Sequence, residues 1–217
     1  MKNVLYCGYR SWALDAFEML KKDGAAKWTL CDHPKKLKKL LSRRKFDFGV
    51  LAGWSWLLDR DTLSRCRFFG IHPSDLPDYR GGSPIQNQII DGIRRTKCTL
   101  FEIREDVDRG EILGKVPLSL DGDIPDIFEK LSRSTVRLVR VALRKYPRLK
   151  TKPQPRGGKT VRRRRPMQSE IDPALFRTNL RKAYDMIRSL GDPYPNAYVR
   201  NKKGERLIFK RVEFENA

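Results

Sequence analysis

The chain has two histidines, and one of them, His72, stands where a side chain could do acid–base chemistry. It closes an apolar run, Phe68-Phe69-Gly70-Ile71, and opens a loop containing Pro73, Pro77, Gly81 and Gly82. The prolines fix φ and the glycines tolerate positive φ, so the loop has a specific path. At the carboxyl end of a strand in an open α/β sheet, His72 would lie where ligands bind. Asp108 sits in a turn between two strand-like segments, 97–104 and 112–120. Both residues are expected at C-terminal strand edges, from which they could converge. A histidine beside a carboxylate can take a proton from an attacking group, hold the positive charge and donate to a developing oxyanion. The plainer alternative for His72 is a structural role, holding the loop through backbone hydrogen bonds.

The elements that must position this pair follow from the hydrophobic pattern. Residues 3–7, 28–31, 46–52 and 68–71 read as buried strands. Residues 12–21 and 34–44 read as helices, the first with Trp12, Ala13, Ala16, Phe17 and Leu20 at helical spacing. This alternation predicts an α/β protein, a Rossmann-like and mostly parallel sheet flanked by helices. A long amphipathic helix follows over 124–143. No G-x-G-x-x-G follows the first strand, so a bound dinucleotide is not expected, although Arg10 in Gly8-Tyr9-Arg10 could meet a phosphate at a helix N-terminus. From Arg144 to Arg165 half the residues are Lys or Arg and none is acidic, with Pro147, Pro153, Pro155 and Gly157-Gly158 breaking regular structure. This stretch reads as a linker that either wraps the body and reaches the site or forms a mobile basic arm. A helix over about 173–190 and a hairpin turned at Lys203-Gly204 complete a short C-terminal appendage. The organisation is therefore 1–143 as the catalytic domain, 144–165 as the basic linker or loop, and 166–217 as helix and hairpin.

The net charge of +21 suggests an anionic partner, whether nucleic acid, nucleotide or a phosphorylated substrate. Cys7, Cys31, Cys66 and Cys98 are far apart and form no C-x-x-C pair. They read as buried reduced thiols, and no metal is called for. The chain enters a strand directly and has no apolar run of membrane-spanning length, so neither a signal peptide nor a membrane partner is expected, and the setting is cytoplasmic. A homodimer is one assembly open to it.

The string His72-Pro73-Ser74-Asp75-Leu76-Pro77-Asp78-Tyr79-Arg80-Gly81, followed by Pro84-Ile85-Gln86, resembles the signature of formyltransferases that use N10-formyltetrahydrofolate. Val107-Asp108-x-Gly110-x-Ile112 is similar to that family's second signature, at a family-like spacing from the first. Arg164-Arg165-x-x-x-Ser169-Glu170-Ile171-Asp172 and Asp192-Pro193-Tyr194-Pro195-Asn196-Ala197 resemble segments of sugar N-formyltransferases. The resemblance spans roughly 1–119 and returns at 164–198. It implies His72 as the principal catalytic group, with Asp108 orienting it and helping to remove the amine proton. It places the pterin of N10-formyltetrahydrofolate, a co-substrate, against Trp54, Ser55, Trp56 and Leu57 and the Ser74, Asp75, Leu76, Pro77 loop. Tyr9, Arg10, Tyr79 and Arg80 are candidates for the acceptor or for holding the loop.

Family members formylate methionyl-tRNA, nucleotide-linked amino sugars, glycinamide ribonucleotide or hydroxyornithine. The Gly-Tyr-Arg loop and the short stretch after Arg165 favour a nucleotide-linked amino sugar, with nucleic acid through 144–165 as an alternative partner. Hydrolysis of the formyl donor and a binding-only role are further alternatives. Two positions depart from the pattern. Asp75 replaces a usually apolar residue, and Gly70 replaces the catalytic Asn. The missing amide is expected to slow transfer, with Ser74, Asn87, a water beside the glycine or an indole N–H of Trp54 or Trp56 as substitute. On that reading Gly70→Asn would raise the rate.

Overall fold

In a computed structural model describing residues 1–215, the sheet is built outward from β1 (Lys2–Cys7). Val4, Leu5, Tyr6 and Cys7 have no exposed surface, as a strand covered on both faces requires. α1 (Ser11–Lys22) turns Trp12, Ala13, Ala16, Phe17 and Leu20 onto one face. β2 (Ala26–Cys31) then pairs parallel along one side of β1. α2 (Pro34–Arg43) starts on a proline whose missing N–H is no loss there, and the His33 ring accepts the Lys35 N–H. β3 (Phe48–Ala52) pairs on the other side of β1, and after α3 (Arg60–Arg65) the chain lays β4 (Phe68–His72) parallel beside β3. β5 (Arg80–Gly81) and α4 (Pro84–Ile90) precede β6 (Arg95–Glu102) and β7 (Ile112–Ser119), which extend the sheet antiparallel. The order is β2-β1-β3-β4-β6-β7. The chain reverses direction of growth between β1 and β3, and that reversal opens a crevice at their carboxyl ends.

α5 (Ile124–Lys145) closes the sheet against α1. Asp123 and Asp126 form a reciprocal capping box at its start, and Ile124, Ile127, Phe128, Leu131, Leu138, Val139 and Ala142 form its buried stripe. The other face of the sheet is covered by Leu37 and Leu41 of α2, packed with Leu5, Leu51 and Phe68.

The short helix α3 is absent from the sequence reading. It has too few apolar residues to show periodicity and is started by the Asp59 carboxylate, which accepts the Thr62 N–H at 2.9 Å. The single helix expected over 173–190 is instead α6 (Leu175–Thr178) and α7 (Leu180–Arg188). Asn179, at φ −158°, breaks the run, and its side chain accepts the Lys182 N–H to begin the second segment. The hairpin forms from β9 (Tyr198–Arg200) and β10 (Arg206–Ile208).

The basic linker wraps the body. α5 runs on to Lys145, and Lys152 then exchanges two backbone hydrogen bonds with Ile112, at 2.7 and 2.9 Å. β8 (Thr160–Val161) pairs parallel with β5. The Arg164 N–H donates to Ser83 Oγ at 3.1 Å. Gly81 makes this approach possible: at φ 100°, a Cβ there would lie 2.3 Å from the Val161 carbonyl. The strap thus overlies the loop that begins at His72.

Gly70 is a packing position. It pairs with Phe101 across β4 and β6, and a Cβ on it would lie 2.6 Å from Ile103 Cδ1 and 2.7 Å from the Phe101 ring. A side chain at Gly70 would meet these two neighbours, although the glycine also lines the open cavity beside His72. Gly70→Asn is therefore expected to overpack the core by about 1–3 kcal/mol, lowering the denaturation midpoint and leaving the rate no higher. An unchanged midpoint in a chemical-denaturation series, or a faster enzyme, would contradict this packing account.

Candidate active site

His72 ends β4 on the same face of the strand as Phe68 and Gly70, and the residue is 6% exposed. One ring nitrogen, Nε2, lies 2.8 Å from the Tyr79 carbonyl. A carbonyl only accepts, so Nε2 carries a proton and donates it. Nδ1 then faces the Asp108 carboxylate at 3.5 Å. In the neutral ring Nδ1 holds a lone pair, and a proton arriving there meets a carboxylate that stabilises it. The backbone-holding role and the chemical role are thus carried by different nitrogens of one ring.

Asp108 reaches His72 by a route that corrects the expectation of a shared strand edge. β6 runs antiparallel to β4, so its last residue, Glu102, lies opposite Phe69 rather than His72. The turn after it folds back over the sheet face, with Ile103 against Gly70, to bring Asp108 beside His72. Asp108 adopts φ 53°, a left-handed conformation uncommon outside glycine. The Gly81 N–H holds its carboxylate at 2.8 Å.

The pair opens into a cavity of about 490 Å³. One wall is Trp54, Ser55, Trp56, Leu57 and Leu58, which follow β3. Trp54 and Trp56 meet edge to face, with ring centroids 4.9 Å apart. The Trp54 Nε1–H is buried without a hydrogen-bond partner, as is the Gln86 amide nitrogen in the cavity's lining. A flat heteroaromatic ring with polar edges suits such a slot, because buried donors left unpaired are costly until a ligand meets them.

Four cations border the same cavity: Arg104 pairs with Glu102 at 3.1 Å, and the other three have no carboxylate partner among the described residues. Arg10, at the switch-point crevice, stacks over the Tyr9 and Tyr194 rings with centroids 4.9 and 5.8 Å away. Arg163 and Arg164 arrive on the strap. None of the three forms a salt bridge among the described residues. Burial holds the Arg164 guanidinium below the usual arginine range, and its Nε has no partner.

Several expected site residues lie off the cavity. Ser74 and Leu76 are fully buried, and the Ser74 hydroxyl donates to the Asp78 carbonyl at 2.6 Å. Asp75 pairs with Lys97 at 2.9 Å and with Lys115. Burial works against its charge, but the two lysines outweigh that and hold its carboxyl below the usual range. None of Ser74, Asp75, Leu76 and Pro77 lines the cavity. Tyr79 donates to Asp91 at 2.7 Å. Arg80 is 5% exposed, with its guanidinium turned onto the strap, so neither it nor Tyr79 lines the cavity, and the contacts of both hold the loop, the second of their two expected roles. The Tyr9 hydroxyl donates to Ser55 Oγ at 2.6 Å, bracing the Trp wall from behind. Asn87, a proposed substitute for the missing amide, spends its side-chain donors on the Gly82 and Ser83 carbonyls. The sequence does not single out Gln86, Arg163 or Arg164 as cavity residues, although Gln86 and Arg164 lie within the family-like segments and a strap reaching the site is one of the two readings of 144–165.

The formyl transferase family matches residues 15–134, more than half of the chain. A solved methionyl-tRNA formyltransferase from Clostridium thermocellum superposes with a TM-score of 0.89 at 29% identity, over 99% of this chain and 94% of that one. A sugar N-formyltransferase from Shewanella sp. shares the fold, with a TM-score of 0.78 at 16% identity over 100% of both chains. The methionyl-tRNA formyltransferase of Sulfurihydrogenibium sp. is 25% identical over 166 residues, which are 75% of this chain and 53% of that protein. The chain spans about half the length of the curated relatives it matches. Taken with the two motifs and the His72–Asp108 geometry, the match places this chain in the formyl transferase family.

Proposed function

We propose that the protein transfers a formyl group from N10-formyltetrahydrofolate to the amine of a nucleotide-linked amino sugar. The observation that carries the transfer reading is the His72 ring, fixed by the Tyr79 carbonyl with Nδ1 turned to Asp108, both residues lining the cavity. Trp54, Trp56 and Leu57 would hold the pterin, and the formyl carbon would be met by the acceptor amine beside His72. The amine lone pair forms the new C–N bond while the carbonyl electrons move onto oxygen. His72 Nδ1 takes the amine proton, and the Asp108 carboxylate beside it stabilises the imidazolium. The imidazolium donates to the oxyanion, and its proton passes to the folate nitrogen as the old C–N bond breaks.

The three arginines at the cavity that lack a carboxylate partner, Arg10, Arg163 and Arg164, support a phosphate-bearing acceptor. Guanidinium groups without carboxylate partners beside a partly closed cavity are suited to a diphosphate. A second reading, methionyl-tRNA as acceptor, is favoured by the names of the Clostridium and Sulfurihydrogenibium relatives and by the exposed Lys and Arg side chains along the strap. A panel of nucleotide amino sugars and charged initiator tRNA, each with the formyl donor, separates the two by mass detection of the formylated product.

Two outcomes follow. His72→Asn and Asp108→Asn should each lower kcat by about 10²–10⁴, with folate affinity nearly unchanged, because these side chains act in the transition state while the Trp wall binds. Near-normal turnover in the His72 variant would sink the mechanism. Acceptor affinity should fall shallowly with salt, by a log–log slope of about one to two, as contact with a diphosphate requires. A steep slope with tight tRNA binding would move the assignment to the RNA reading.

A further inference from the structure

Gln154 lies on the strap, half-buried, in a stretch whose other polar side chains are mostly cationic. Its carboxamide spends both ends on the two catalytic loops. The oxygen accepts from Arg80 Nε at 3.0 Å and Nη2 at 2.7 Å. The nitrogen donates to the Asp108 carbonyl and the Gly110 carbonyl, each at 2.8 Å. The fork on one side and the two carbonyls on the other fix which end is oxygen and which is nitrogen. Arg80 is itself anchored, with Nη1 on the Gly157 carbonyl at 2.9 Å.

We propose that Gln154 is a positioning residue for formyl transfer: it couples the loop carrying His72 to the turn carrying Asp108 and so sets the distance between their side chains. The inference rests on the transfer reading for its kinetic consequence. Asp108 is in a left-handed conformation, and its carboxylate is 3.5 Å from Nδ1. Its backbone is held at the carbonyl by Gln154, and its side chain is held by the Gly81 N–H. Gly81 follows Arg80 directly, so Gln154 closes a ring that runs from Asp108 through Gly81 and Arg80 and back. Glutamate keeps the acceptor for Arg80 but has no donor for the two carbonyls. Asparagine is one methylene too short to span both sides. Leucine fills the space and holds neither.

The test uses wild type, Gln154→Glu and Gln154→Leu. Amide hydrogen exchange at Gly81, read without substrates, should quicken in both variants by about tenfold or more, the scale of one lost hydrogen bond, while the global denaturation midpoint moves little. In turnover, kcat should fall by about 10- to 100-fold, as small misplacements of reacting groups do, with the folate KM nearly constant. In an Asp108→Asn background the same Gln154 substitutions should cost almost nothing more, because the group they position is already gone. Unchanged Gly81 exchange in a folded variant, or a kinetic loss that multiplies in the Asp108→Asn background, would overturn the proposal. If Gln154→Leu fails to fold, Gln154→Glu, which retains the Arg80 contact, decides. If wild type yields no product, the transfer reading fails by itself and the exchange measurement still decides the coupling.

Discussion

The hydrogen bond from His72 Nε2–H to the Tyr79 carbonyl is the constraint on which the site depends. It settles which ring nitrogen is free, and it does so from the backbone, where no side-chain substitution can remove the acceptor. Tyr79 can serve only because its loop is held in place, and Tyr79 itself is at φ 57°. The side chain of Tyr79 is tied to Asp91, the next residue is clamped by the strap, and Ser74 closes the loop from within. The loop's polar groups are thus mostly occupied with one another, and the cavity is left to His72, Asp108, the Trp wall and the arginines.

The strap changes what the positive charge means. A segment in which half the residues are Lys or Arg would repel itself as a free arm. Here backbone pairing at Lys152, at Thr160–Val161 and at Arg164 holds it down, and most of the cationic side chains face outward. Its inward groups are backbone carbonyls, Gln154 and Arg164, and the exposed Arg163 also lines the cavity. Fold and chemistry therefore share one element: the same residues that cover the His72 loop bring cations to the cavity.

Much of this was legible in the residues. Strand and helix periodicity located the parallel half of the sheet, and His72 and Asp108 stood out by type and spacing. The route of Asp108 was not legible, because the seven-residue α4 before β6 reads no differently from a crossover helix, and strand direction is not written locally. Which way Ser74, Asp75 and Leu76 face was also hidden, since a loop has no period from which to read a face. At Gly70 the sequence shows the missing side chain and not the Phe101 ring packed against it. Gln154 gave no signal, because its partners are backbone carbonyls and a buried arginine that come together only in the folded chain.

The central claim is that His72 exchanges protons through Nδ1 while Nε2 stays protonated. Nitrogen-15 NMR of the imidazole-labelled protein tests it directly, since His33 is the one other histidine to assign. The account predicts a neutral His72 ring with the proton on Nε2 and the lone pair on Nδ1. A neutral ring protonated at Nδ1, with the lone pair on Nε2, would contradict it.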